Sequence, residues 1–290
     1  DDEKPQDKPV EPEKPEQKPV VEEKFEGSVD SSNLDNLKND ETFGSVVTAE
    51  HGKLDFGKLD KDEHGNDKPA SEHVDIVKVE GGVKHTDPAT PFVWDMDDKG
   101  LSVGGKTEVN GGTFEIKNAG NVTLKGNTEV SGDGTNKGVL NIDNKDNGGK
   151  LIFAGAEGST DPVLSVSGNA EVNVSGKVEI VNTNDNVAVS VGEDSTVSFG
   201  GGVIDAGKEG TAIVVTGDDS KVVANTDDKG ESKKNGLKIK GNIQIGEVPA
   251  STFNLRRSIM LLASGNKPYG EFTFDGVEDA WEGDYIGAND

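Results

Sequence analysis

No cysteine occurs in the 290 residues, which excludes disulfides, thiol nucleophiles and thiolate metal sites. Aromatic residues make up 5% of the chain and hydrophobic residues only 31%, too little for the thick core of a compact α/β domain. No stretch approaches the ~18 consecutive apolar residues that a membrane-spanning helix needs, so no helical span is expected. Positive charge is also scarce. Thirty Lys and Arg stand against 55 Asp and Glu, the formal net charge is −25, and no Lys/Arg-rich run interrupts the acidity. Such a field repels nucleic acid and anionic membranes and leaves cations and basic surfaces as compatible partners. The chain opens at Asp1 with neither a methionine nor an apolar signal core, and is expected to be a mature or excised segment anchored through a flanking piece.

What the chain has in quantity is glycine, 39 residues, and a nine-residue phrase that recurs six times. The copies are Leu101-Ser-Val-Gly-Gly-Lys-Thr-Glu-Val109, Val122 to Val130, Leu164 to Val172, Val189 to Val197, Val214 to Val222 and Leu237 to Ile245, and their first residues lie 21, 42, 25, 25 and 23 positions apart. Leu140-Asn141-Ile142 sits in the double-length gap, where a degenerate seventh copy is expected. Each phrase holds two short alternating stretches joined at a turn, such as Leu164 and Val166 followed by Ala170, Val172 and Val174. Alternation at period two turns the apolar set to one face. A third stretch follows another glycine turn, as in Thr113 to Ile116 or Lys177 to Ile180. Three short strands per 20 to 25 residues, without room for helical crossovers, predict an all-β, right-handed parallel β-helix solenoid of about seven coils with irregular N- and C-terminal caps.

The chain divides accordingly into a Pro/Glu/Lys-rich disordered tether over 1–41, an N-terminal cap or irregular first coils over 42–100, the β-helix over 101–246 and a C-terminal cap or extension over 247–290. Five prolines between Pro5 and Pro19, in an E-K-P-x-x-K-P idiom, set the character of the tether. Ser251 to Leu262 reads either as a capping amphipathic helix of about three turns or as a strand through its apolar run.

The repeated x-V-x-V-x-G-N-x-x-V phrases, the acidic glycine-rich coils, the missing cysteines and the proline-rich lead resemble the passenger domain of a bacterial autotransporter, with its pectin-lyase-like β-helix. The likeness covers residues 101 to 246. It implies an extracellular or bacterial cell-surface module, most simply part of an adhesin that contacts glycans or proteins of host or neighbouring cells. Two other functions suit the same fold: a polysaccharide lyase or hydrolase, and a structural surface-layer or spacer rod without a ligand.

Chemistry is sparse. Glu108, Glu129 and Glu171 occupy the same position in three phrases and are expected to stack as an acidic ladder on one outer face, with Lys106 and Lys125 nearby. Adjacent carboxylates at coil spacing either take up a cation or are neutralised by lysines. Asp95, Asp97 and Asp98, and likewise Asn225, Asp227 and Asp228, form [DN]-x-D-x-x-G turns, as does Asp60-Lys61-Asp62; calcium is the one cofactor such oxygen donors suggest. The glutamate expected at the twelfth loop position is missing, and turn formation explains the same residues. His51, His64, His73 and His85 are spaced too widely for a zinc motif. Arg256 and Arg257 lack a partner constellation, and Trp94 and Trp281 read as plugs of the caps more readily than as sugar platforms. No catalytic residues are assigned and no enzyme is expected. Recognition is expected at the insertions 143–150, 154–162 and 225–235, where the chain exceeds a minimal turn.

Overall fold

The computed structural model describes residues 17–50, 52–144, 148–181, 187–207, 210–217, 219–224 and 237–245, together with short strands between 259 and 286. The chain is a parallel β-helix. Three sheets run along it, each a stack of nine strands, and the chain visits the first, second and third sheet in turn. Strands of successive coils pair in parallel and in register: Val122 lies between Leu101 and Leu151, and Val130 between Val109 and Val166. Every backbone N–H and C=O in a strand can thus be satisfied by the coils on either side, which removes the need for a thick domain.

The interior follows from the alternation. Inward columns run the length of each sheet: Val77, Leu101, Val122, Leu151 and Val178 in the first, Val109, Val130, Val166, Val191 and Val215 in the second, and Phe114, Leu140, Val172, Val197 and Val222 in the third, all buried. Identical rows bring like side chains one coil apart, so small β-branched residues fill a narrow core without voids. The aromatics gather near the N-terminal end, where Phe92 stacks on Phe114 with centroids 5.4 Å apart and Trp94 packs edge-on against both.

Three expectations need correction. First, regular coils begin well before residue 101. Glu22–Phe25, Val29–Asp30 and Lys53–Asp55 make a first coil and Ile76–Val79, Val83–His85 and Phe92–Asp95 a second. Residues 22–41 therefore belong to the fold and not to a tether: Phe25 is buried, lies 5.9 Å from Phe43, and its strand pairs with Ile76–Val79. Residues 1–16 lie outside the described part. Second, the phrases are not equivalent. Copies beginning at Leu101, Val122 and Leu237 bend from the first sheet to the second, whereas those beginning at Leu164, Val189 and Val214 bend from the second to the third. Any corner of the solenoid asks for strand, turn, strand, so the phrase changes phase; Leu140 to Ile142 is simply a third-sheet strand in its own coil and not a degenerate copy. Third, the copy from Val214 is shifted by one residue: Val214 pairs beside Ser190 and is only partly buried, while Ile213 and Val215 point inward.

Segments outside the regular parallel coils lie at both ends of the third sheet. The first coil carries two excursions, 31–52 and 56–75, whose Leu37, Phe43, Val46, Phe56 and Leu59 pack on the end of the core, and Val47 bridges Leu54 in the antiparallel sense along the third sheet's first strand. At the other end Ile259–Ser264 is a strand, the second of the two readings of that segment, and pairs antiparallel with Ser220–Ala224; Lys267–Tyr269 then turns back antiparallel on it. An antiparallel hairpin occupies the free edge of the last parallel strand and stops the stack in that sheet.

Val172 is fully buried in mid-solenoid. Replacing it by Asp places an unpaired carboxylate in an apolar column, and a loss of about 3 kcal/mol or more is expected in urea unfolding.

Candidate functional site

The acidic ladder does not form as a column of three. Glu108 and Glu129 are register neighbours in the second sheet, but Glu171 belongs to the third, between Val139 and Thr196, because its phrase has changed phase. Each carboxylate has a lysine: Lys84 Nζ lies 3.6 Å from Glu108, Lys106 Nζ donates to Glu129 at 2.6 Å, and Lys137 donates to Glu171, which also accepts from Asn173 Nδ2 at 2.7 Å. The Lys137 and Asn173 hydrogen bonds hold the Glu171 carboxyl below its usual range, and Glu129 correspondingly raises Lys106. Glu22 with Lys78 and Glu179 with Lys150 repeat the device on the first sheet. These are cross-coil ion pairs on a solvated surface, each worth at most about 1 kcal/mol.

The Asp95 turn is likewise occupied by its own chain. Asp97 and Asp98 sit at φ 48° and 65°, a left-handed pair that Asp tolerates in tight turns. Asp95 Oδ1 accepts from Asn118 Nδ2 at 2.9 Å, and Lys99 Nζ lies 3.7 Å from Asp97 Oδ2. Asp62 accepts from the backbone N–H groups of His64 and Asn66, both at 2.8 Å, and these bonds hold it below its usual range. Among the described residues no three His, Asp or Glu side chains come together as a metal site. Asn225, Asp227 and Asp228 lie outside the described residues, as do His51, Arg256 and Arg257.

Two concavities remain. The larger, about 990 Å³, sits at the N-terminal mouth among Glu23, Glu41, Asp55, Asp97, Lys58 and Lys61. Glu23 heads the inward column that continues with Val77 and Leu101, so the first place in an apolar row is taken by a carboxylate where the solenoid opens to water. The smaller, about 400 Å³, is a groove on the outer face of the third sheet. Its floor is polar and regular. Glu115, Asn141, Asn173 and Ser198 follow one another in register, Asn173 Nδ2 donates to Asn141 Oδ1 at 2.9 Å, and beside them Ser175 Oγ donates to Asp143 at 2.7 Å. The enlarged corner at 143–150 leaves the end of this floor, since Gly138–Ile142 is a groove strand. The insertion 225–235 follows the third-sheet strand Ser220–Ala224 and is outside the described residues.

Trp94 is wholly buried between Phe56, Phe92 and Phe114, a plug of the first coils; the side chain of Trp281 is outside the described set. His64 is exposed, His73 is half-buried against the Lys68 carbonyl at 2.9 Å, and His85 is buried. Sequence reasoning missed two groups. Lys99 is 4% exposed and donates to Asp60 at 2.5 Å, while the other Asp60 oxygen accepts from Val74 N–H at 2.8 Å, so this buried pair ties the 56–75 excursion to the coils. His85 follows Val83 in an inward alternation, a pattern visible in Val83-Lys84-His85. No family model, curated protein or solved structure matches the chain.

Breaking the buried pair leaves a charge without its partner. Asp60→Ala is expected to cost about 3 kcal/mol or more, and joint replacement of Asp60 and Lys99 by apolar residues to recover most of it, measured by chemical denaturation.

Burial pushes the His85 ring below its ordinary value of 6.5, with the Asp87 charge, a hydrogen bond to the Asp87 backbone and the Asp30 charge only partly opposing the shift. The unfolded chain therefore takes up this proton first as pH falls. The His85 contribution to stability is full above about pH 6.5 and is lost progressively below it, down to the depressed folded value. Urea midpoints from pH 8 to about pH 5 are expected to fall more steeply in the parent protein than in His85→Gln.

Proposed function

We propose that the chain is a secreted or surface-displayed bacterial β-helix module that binds glycans or proteins of host or neighbouring cells, as part of an adhesin or autotransporter passenger. One observation carries the reading: the third-sheet groove, a row of hydrogen-bonding side chains at coil spacing next to an enlarged corner loop. Its groups are short and its floor is held by the coil ladder, so little side-chain entropy is lost when a partner is bound. The ion pairs that run across the coils are less open to a partner, because their carboxylates and lysines already satisfy each other. Against a self-assembling surface-layer rod stands the third sheet alone, where antiparallel segments occupy the outermost edges. For a carbohydrate-active enzyme that uses a bound cation, no group of three metal-ligating side chains lies among the described residues.

Binding of the whole protein to arrays of glycans and matrix proteins tests the reading. Saturable, selective binding that weakens by about tenfold in Asn141→Ala/Asn173→Ala, with an unchanged melting transition, is expected. A blank array with an intact fold, or binding indifferent to these residues, counts against it.

A further inference from the structure

His85 occupies a place in the second sheet that valines take in the coils below it: Val109, Val130, Val166 and Val191 continue its column. It is 1% exposed and stacks on Phe92 with centroids 5.7 Å apart. Nδ1 lies 2.7 Å from Ser31 Oγ, whereas Nε2 has no hydrogen-bond partner. With the Ser31 hydroxyl donating to Nδ1, the ring hydrogen resides on Nε2, a buried donor that makes no well-formed hydrogen bond, with the Asp87 backbone as the acceptor that favours a proton on the ring. The gap it faces is made by a glycine. A methyl group placed on Gly112 would stand 2.7 Å from His85 Nε2 and 2.5 Å from the backbone carbonyl oxygen of Asp87, so both atoms border the same narrow space.

That carbonyl belongs to the Asp87–Pro88 peptide. Its nitrogen is tertiary, and two carbons, Cα and Cβ, separate its carbonyl carbon from the Asp87 carboxylate. The Asp87 carboxylate accepts from Ala89 N–H at 2.8 Å, a bond that with the Thr90 hydroxyl holds the acid below its usual range and keeps it ionised in mildly acidic water. Pro88 is exposed, so water reaches the bond.

We propose that Asp87–Pro88 is a self-cleavage site, with the Asp87 carboxylate as nucleophile and His85 Nε2–H as donor to the oxyanion. A carboxylate oxygen adds to the residue's own backbone carbonyl carbon, closing a five-membered ring and moving negative charge onto the oxygen beside His85. Collapse breaks the C–N bond, and the proline nitrogen takes a proton from solvent and leaves as a secondary amine. Water then opens the cyclic anhydride, returning the side-chain carboxylate and leaving a new carboxyl terminus at residue 87. One water is consumed and no oxidant or reductant is needed. The two pieces remain paired strand to strand, so the nick separates the N-terminal coils from the rest only on denaturation.

The chain supplies its own comparator, because its other Asp-Pro bond, Asp161–Pro162, has an exposed aspartate in a loop. Whole protein incubated at about pH 5 and followed by denaturing gel and intact mass is expected to yield fragments 1–87 and 88–290, about 100-fold faster than any break at Asp161–Pro162. Asp87→Asn, at a partly exposed position, is expected to abolish the fragments, and His85→Gln to slow them by about 100-fold. Ser31→Ala keeps the ring but releases its tautomer, and is expected to slow cleavage in protein that still folds. An unbroken chain, equal cleavage at both Asp-Pro bonds, or a rate unchanged in Ser31→Ala and His85→Gln would overturn the proposal.

Discussion

Parallel pairing of each strand with the same strand one coil away is the constraint on which everything else rests. It satisfies the backbone between coils and forces residues at equivalent positions into columns. Through the middle coils most inward columns keep an apolar character, and this explains the economy of the composition. Valine, isoleucine and leucine repeat inward, and only the first coils, beneath the 31–52 and 56–75 excursions, hold Phe56, Phe92, Trp94 and Phe114.

The outer surface obeys the same rule with charges. Like carboxylates in register would repel, as Glu108 and Glu129 show by neighbouring one another. Lysines one coil away neutralise them, so the net charge of −25 is not spread evenly over the sheet faces. Acidic groups without such partners collect at the N-terminal mouth, where Glu23 faces into the column end. The third-sheet groove differs in carrying amides and hydroxyls, Asn141, Asn173, Ser175 and Ser198, among its charged groups. Recognition belongs on that surface for a physical reason: its donors and acceptors are fixed by the ladder yet still open to a partner.

The solenoid was legible because period-two alternation and turn glycines recur at coil length, and Val172, Leu164 and Ile180 fall inward as that pattern requires. The phase of the phrases was not, since two different corners take the same local sequence; this misplaced Glu171 and shifted Val214. The first coils were legible only as an irregular alternative over 42–100, and their start at Glu22 was not, because the excursions 31–52 and 56–75 break the period, although Phe25 and Val77 alternate properly within their strands. Lys99 could not be read at all. Its partner Asp60 lies 39 residues away on an irregular turn, and no local pattern marks a lysine that turns inward.

Amide hydrogen exchange of the intact protein, resolved by residue, tests the coil register most directly. Protection is expected to begin at Glu22–Phe25, at alternate amides of this edge strand, and to continue at successive amides through Ile76–Val79 and Gly100–Val103 as one block, with the exposed 62–67 turn exchanging far faster. Exchange of residues 22–41 at the rate of an unstructured chain, with protection starting only after residue 100, would contradict a solenoid that begins at Glu22.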